Sequence, residues 1–190
     1  QNENLNDQTI GYLNSLLYGL EIDSAMTFLD QIILSIDTSN KYFNDIFEIH
    51  DLIKNYYADG TKDDKIAFKA FFKAESLINE YKLKEAIKVL ESIRINHSDS
   101  MIYPIITLRM ALLSIDLMQF EKSIIYALAM EDTNLKDVGL TLAAEVEESY
   151  LKNTDNALRY YYRVLAECSG SLLADPVRLH LRKISKNRES

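Results

Sequence analysis

The chain has 190 residues, of which 47% are hydrophobic and 26% charged, a composition typical of a globular protein with a buried core. Its formal net charge of -8 at pH 7 repels phosphate backbones and anionic lipid, which argues against nucleic acid and membrane surfaces as general partners. The single cysteine, Cys168, excludes an intrachain disulfide. With only 5 Gly and 2 Pro, helices can run without interruption.

The N-terminal third is predicted to be helical but irregular. Residues 1–8 are rich in Asn, Asp and Gln and are expected to form a disordered lead-in. Apolar residues at helical spacing then predict a degenerate helical hairpin over 9–37. A long, aromatic-rich helix over 42–57 follows it and interrupts the pairing of helices.

A joint is predicted at 59–64, where the aromatic-rich helix ends. Gly60 is available for a left-handed cap, and Thr61 stands three residues before Asp64 as in a capping box. The chain is therefore divided into an N-terminal part, 9–62, which holds the degenerate hairpin plus the extra helix, and a regular helical array, 63–190.

A short sequence motif occurs three times in the array: a turn, one or two polar residues, then a small residue that opens an amphipathic helix. The small residues are Ala86, Ser123 and Ala157, separated by 37 and then 34 positions. A fixed period of roughly 20–50 residues predicts stacked helical units. The predicted hairpins pair 63–81 with 83–96, 101–116 with 119–131, and 136–151 with 155–168, and a capping helix begins at Asp175-Pro176.

Small residues also recur where the first helix of each hairpin should touch the second. Ala74 and Ala111 lie twelve positions before Ala86 and Ser123, and Ala144 lies thirteen before Ala157, which indicates one inserted residue. This pattern resembles the tetratricopeptide repeat family, with Ala25 marking a degenerate fourth copy. The resemblance implies an all-α fold of antiparallel helical hairpins stacked as a right-handed superhelix, an α-solenoid.

The last predicted hairpin carries a further likeness. The segment 156–165, followed by 169–171 and 174–178, is similar to the final repeats of bacterial tetratricopeptide proteins of the cell envelope. This favours the periplasm or envelope if a signal was removed, and the cytoplasm otherwise. Because the first residue is Gln1 rather than Met, the chain is expected to be processed or cut from a longer protein.

The sequence predicts no catalytic, metal or cofactor site. Residues three and four away from His50 and His180 provide no ligand or acid–base partner on the same helix. Glu145 and Glu148 share a helical face; we interpret them as a solvated surface, with Glu148 paired to Lys152, rather than as a pair of catalytic carboxylates. We therefore expect that the chain is not an enzyme.

The function predicted from the repeat is a non-catalytic scaffold that binds a peptide or partner helix on its superhelical surface. Polar residues of first helices and exposed tyrosines of the last hairpin are the candidate contacts: Lys69, Lys73, Asn79, Arg109, Tyr160 and Tyr162. We expect a protein or peptide partner, no nucleic acid and no membrane insertion. Two alternatives stay open: a self-associating helical segment of a larger protein, and an accessory domain of an enzyme.

Overall fold

The structure is a computed structural model that describes residues 6–188, and these residues form ten α-helices and no strand. The α-helices are α1 (Asp7–Tyr18), α2 (Ile22–Ile33), α3 (Phe43–Ile53), α4 (Lys62–Asn79), α5 (Leu83–Asn96), α6 (Tyr103–Asp116), α7 (Phe120–Leu128), α8 (Lys136–Ser149), α9 (Thr154–Glu167) and α10 (Ala174–Arg188). A π-helical turn over Lys54–Ala58 continues α3. The all-α prediction is confirmed. Of the predicted lead-in, residues 1–5 lie outside the described residues, whereas Asp7 and Gln8 already belong to α1.

The chain divides into two compact units, Gln1–Tyr103 and Pro104–Ser190. The first unit holds α1 to α5, and the second holds α6 from Pro104 onward together with α7 to α10. In the second unit α9 packs against α8 and α10 around a core to which all three helices contribute. Its members are Leu140, Ala144, Ala157, Tyr161, Val164, Val177 and Leu181.

A turn with one left-handed residue closes four helical hairpins, α1/α2, α4/α5, α6/α7 and α8/α9. In each turn one residue that is not glycine adopts a positive φ of 56–62°: Leu20, Tyr81, Met118 and Lys152. In the first three turns the next amide donates to the carbonyl five residues back, as in the Schellman motif. In the fourth, Asn153 N donates to Glu147 O six residues back, and this confirms the residue inserted there.

The small residues predicted to sit between paired helices are fully buried. Ala25, Ala86, Ser123 and Ala157, which open the second helices, have no exposed surface. The same holds for Ala74, Ala111 and Ala144 on the first helices. Burial of these small residues, as the repeated motif predicts, is therefore present in each hairpin of the array, and it extends to the residues four positions further on: Leu29, Leu90, Ala127 and Tyr161.

A second recurring element, which the sequence did not reveal, is the loop that leads out of each hairpin. Around Asn40, Ser100, Thr133 and Ser171, the central residue's amide donates to the carbonyl three residues before it, and its carbonyl accepts from the amide three residues after it. Small polar side chains suit this position because they bond their own loop backbone. Asn40, Thr133 and Ser171 each accept from the amide two residues on.

An aspartate in the first turn of a first helix holds the loop that precedes a later helix. Asp64 Oδ1 accepts from Met101 N at 2.8 Å, Asp7 accepts from the hydroxyl of Tyr42, and Asp137 accepts from the hydroxyl of Ser171. Because the Thr61 hydroxyl and the Met101 amide both donate to Asp64, the pKa of this carboxyl lies below its ordinary value.

The joint before α4 differs from its prediction at one residue. Thr61 and Asp64 form the predicted capping box. Gly60, however, is not left-handed, since no glycine of the described chain has a positive φ. A Cβ at Gly60 would instead lie 2.8 Å from Cβ of Asp64, so close approach of the capping side chain explains the glycine.

Candidate binding clefts

A cleft of about 650 Å³ opens in the second unit, lined by residues of the first helices α6 and α8, by α9, and by the capping helix α10. We call it the acidic cleft. Its lining residues are Leu112, Ile115, Thr141, Leu142, Glu145, Val146, Glu148, Ser149, Tyr150, Tyr161, Leu173, Pro176, Val177 and His180. Its volume falls within the range of roughly 300–1,000 Å³ that is usual for ligand pockets.

Helical spacing explains why apolar and acidic side chains meet in this cleft. On α8, Glu145 and Val146 lie three and four residues after Leu142, and Ser149 lies four and three residues after them, so these side chains share a face. Leu142 and Val146 provide apolar wall, whereas Glu145 exposes its carboxylate. The cleft is consequently apolar along its sides and carries its charge on one helix.

Three side chains from three helices form a hydrogen-bonded group in the acidic cleft. Glu148 Oε2 accepts from the Tyr161 hydroxyl at 3.1 Å and lies 2.7 Å from Nε2 of His180. The Tyr161 and His180 rings meet edge to face, with centroids 5.2 Å apart. Burial, followed by the negative charge of Glu148 and that of Glu145, raises the pKa of Tyr161 above its ordinary value.

The acidic segment of α8 is not the uniformly solvated surface that we expected. Glu147 is buried and accepts a hydrogen bond from Asn156 Nδ2 at 3.1 Å. Lys152 does not pair with Glu148: its Nζ donates to the carbonyl of Ser149, because the inserted residue places Lys152 in the left-handed turn. Glu148 turns to Tyr161 and His180 instead.

A second cleft, of about 410 Å³, lies in the first unit and is lined by Tyr57, Gly60, Lys62, Lys65, Ile66 and Lys69. We call it the basic cleft. The ammonium groups of Lys65 and Lys69 lie 5.1 Å and 5.9 Å from the centre of the Tyr57 ring. The Tyr57 hydroxyl donates to Asp23 at 3.1 Å, and burial raises the pKa of Tyr57 above its ordinary value.

The six predicted contact residues fall into two groups. In the first unit, Lys69 lines the basic cleft, and Lys73 and Asn79 are exposed on α4. In the second unit, Arg109 is half-buried on α6. Tyr160 packs against the core around α9, and Tyr162 is 56% exposed.

Of the three consecutive tyrosines, the one that lines the acidic cleft is Tyr161, which the sequence analysis did not select. The repeat contained a signal for it. Tyr161 lies four residues after Ala157, where Leu90 and Ala127 follow Ala86 and Ser123, and all three are buried. His180 had no comparable signal, because its partner Glu148 is 32 residues away in sequence.

Each histidine contacts a carboxylate of another helix. His50 Nε2 lies 3.1 Å from Asp30, and His97 Nδ1 lies 2.7 Å from Asp63. Within the described residues, no three His, Cys, Asp or Glu side chains are grouped as a metal site. None of the described helices is long and apolar enough to cross a bilayer.

Comparison of the chain with protein-family models, with curated proteins and with solved structures finds no match.

Proposed function

We propose that the protein is a non-catalytic interaction scaffold of the tetratricopeptide type, which binds a peptide or a partner helix. The observation that carries the proposal is the acidic cleft, whose walls come from α6, α8 and α10. First helices are the elements that line the inner surface of a helical-repeat superhelix, where such proteins bind extended segments.

Four hairpins that each turn through one left-handed residue, three of them with the same hydrogen bond, support the repeat character of the scaffold. The residues on the first helices vary in charge while the buried small residues do not, as expected where the scaffold is constant and the surface selects the partner. The histidines face carboxylates of other helices rather than a nucleophile, so their contacts favour a positioning role within the fold.

Self-association is the second candidate function, and the opposite charges of the two clefts favour it. The basic cleft presents Lys62, Lys65 and Lys69, whereas the acidic cleft presents Glu145 and Glu148. Two copies of the chain could bring unlike clefts together, and such a contact would weaken as salt increases. In this case the partner of the scaffold is another copy.

A peptide-display selection on the purified full chain tests the scaffold proposal. Selected twelve-residue peptides are resynthesised, their affinity is measured by fluorescence anisotropy, and their site is mapped by amide chemical shifts. We expect dissociation constants in the micromolar range, on the order of -8 kcal/mol, with shifts at cleft residues of α6, α8 and α10.

Two results would contradict the proposal. If no resynthesised peptide binds more tightly than about 1 mM, the cleft is not a peptide site. Sedimentation velocity over a wide concentration range then decides the second candidate: a dimer that dissociates in high salt supports self-association, and a monomer throughout removes it.

A further inference from the structure

We propose that the acidic cleft selects a partner segment in which one basic side chain, Arg or Lys, is flanked by aliphatic residues. This inference rests on the proposed scaffold function and adds to it the chemistry of the partner. It follows from three properties of the cleft, namely its uncompensated charge, its oriented carboxylate and its apolar walls.

The cleft carries uncompensated negative charge. Glu145 is exposed, and among the described residues no cation pairs with its carboxylate. The nearest lysine in sequence, Lys152, donates to a backbone carbonyl instead. Of the lining residues, His180 is the one basic side chain, and it is already engaged by Glu148. A cation is therefore the complement that the cleft lacks.

The second carboxylate is held in place before any partner arrives. Glu148 Oε2 receives the Tyr161 hydroxyl and faces His180, which fixes the side chain and leaves its other oxygen without a hydrogen bond in this group. Glu145 lies one helical turn earlier on the same helix, so the two side chains are neighbours. An Arg or Lys side chain between them can bond to both, and charge-assisted hydrogen bonds are the stronger kind.

The apolar walls of the acidic cleft favour a partner with aliphatic residues beside its basic side chain. Leu112 and Ile115 of α6 face the cleft from one element, and Pro176 and Val177 of α10 from another. Neither pair adds a charge. Residues on both sides of the basic side chain can thus bury apolar surface, which supplies most of the affinity in sites of this kind.

Acetylated, amidated nine-residue peptides test the inference on the full chain. Their central residue is Arg, Lys, Gln or Glu, and Leu and Val flank it on both sides. Affinity is measured by fluorescence anisotropy and the site by amide shifts. We expect the Arg and Lys peptides to bind about tenfold more tightly than the Gln peptide, with shifts at Leu142, Glu145 and His180.

Two variants connect this preference to the carboxylates. Glu145→Gln should reduce the preference for Arg over Gln several-fold, and the fold of this variant should persist because the Glu145 side chain is exposed. Adding Glu148→Gln should abolish the preference. Glu121→Gln on α7 is the matched control: it removes one exposed charge outside the cleft and should leave every affinity unchanged.

Several results would overturn the inference. If the Gln or Glu peptide equals the Arg peptide in affinity, or if the shifts fall on Lys62, Lys65 and Lys69, the scaffold function is retained and this specificity is removed. If display-selected peptides bind and none of these four does, the partner chemistry is wrong. If no peptide of either kind binds, both proposals fail. A salt-sensitive dimer that the Arg peptide dissociates also overturns the inference, because the occupant of the acidic cleft is then a second copy of the chain.

Discussion

The basic cleft of the first unit and the acidic cleft of the second are each built beside a buried tyrosine. The hydroxyl of each tyrosine donates a hydrogen bond of 3.1 Å to a carboxylate: Tyr57 to Asp23 in the first unit, and Tyr161 to Glu148 in the second. What differs is the charge along the neighbouring helix. Lysines follow one another at intervals of three and four on α4, whereas Glu145 and Glu148 of α8 line the acidic cleft.

This difference separates two sets of residues in the repeat. Buried small residues, the left-handed turn residue and the polar residue of the outgoing loop recur in both units. The residues that face the clefts do not recur. The fold can therefore be kept while the surface chemistry changes from one hairpin to another, which is how helical-repeat proteins diversify their binding.

Gly139→Ala should have the largest effect, and only on the second unit. A Cβ at Gly139 would lie 2.3 Å from the carbonyl oxygen of Ala127, so α7 and α8 would have to move apart. We expect the second unit to lose about 1–3 kcal/mol of stability. Hydrogen exchange measured residue by residue checks this, because it reports on each unit separately.

Gly11→Ala is the matched control in the first unit. Gly11 is exposed within α1, and a Cβ there meets nothing within 4 Å. Alanine should raise the stability of α1 by about 0.5–1 kcal/mol because it restricts the unfolded chain. Equal losses from both substitutions would show that crowding at Gly139 is not the cause.

Ser123→Ala should stabilise the second unit by about 1 kcal/mol. The Ser123 hydroxyl is fully buried and, among the described residues, has no hydrogen-bond partner. Alanine restores the residue found at the same position of the other hairpins, Ala86 and Ala157. Ser114→Ala is the control, since Ser114 donates to Met110 O at 2.8 Å and should give no gain. Hydrogen exchange at increasing denaturant concentration measures the change in stability of both variants.

Glycine at the exposed turn residues should stabilise each unit by a similar, smaller amount. Tyr81 and Met118 are 90% and 80% exposed and hold positive φ values that cost a side chain energy. We expect Tyr81→Gly and Met118→Gly each to gain about 0.5–1 kcal/mol. Tyr81→Ala should bring no gain, because alanine keeps the strained backbone. A gain in stability in one unit alone would show that the two turns are not equivalent.

The smallest effect is confined to the titration of Tyr161. Burial and the charge of Glu148 raise its pKa, so the folded state holds the proton more tightly than the unfolded state. The resulting stability is present below pH 10, the ordinary value, and declines as the pH rises above it. Carbon-13 NMR of the tyrosine ring should show that the pKa of Tyr161 lies above the ordinary value of the side chain. Glu148→Gln should lower the pKa of Tyr161 part of the way toward that value, because burial remains; an unchanged pKa would assign the shift to burial alone.

Much of the fold could be predicted from the sequence, because two helices that pack closely in a hairpin need small residues at a fixed spacing. The positions of Ala86, Ser123 and Ala157 predicted the second helices, and α5 runs over the predicted 83–96. The extra turn residue before α9 was likewise visible as a spacing of thirteen instead of twelve.

The clefts could not be predicted from the sequence, because their side chains come from different helices. A search three and four residues from His180 returns no partner, since its carboxylate is on α8. The charged face of α8 was visible in the sequence, but which of its glutamates is exposed depends on neighbours from α9 and α10. Glu147 is buried and Glu145 is exposed, and helical spacing alone does not distinguish them.

The aspartates that open the first helices have a consequence for how such a chain can be rebuilt. Asp64 and Asp137 bond to loops 37 and 34 residues later in the chain. A hairpin cut out at its helix ends would leave its aspartate without a loop and the next loop without its acceptor. The unit to exchange is therefore a hairpin together with its outgoing loop, because duplication or grafting at those borders keeps the bond between the aspartate and its loop.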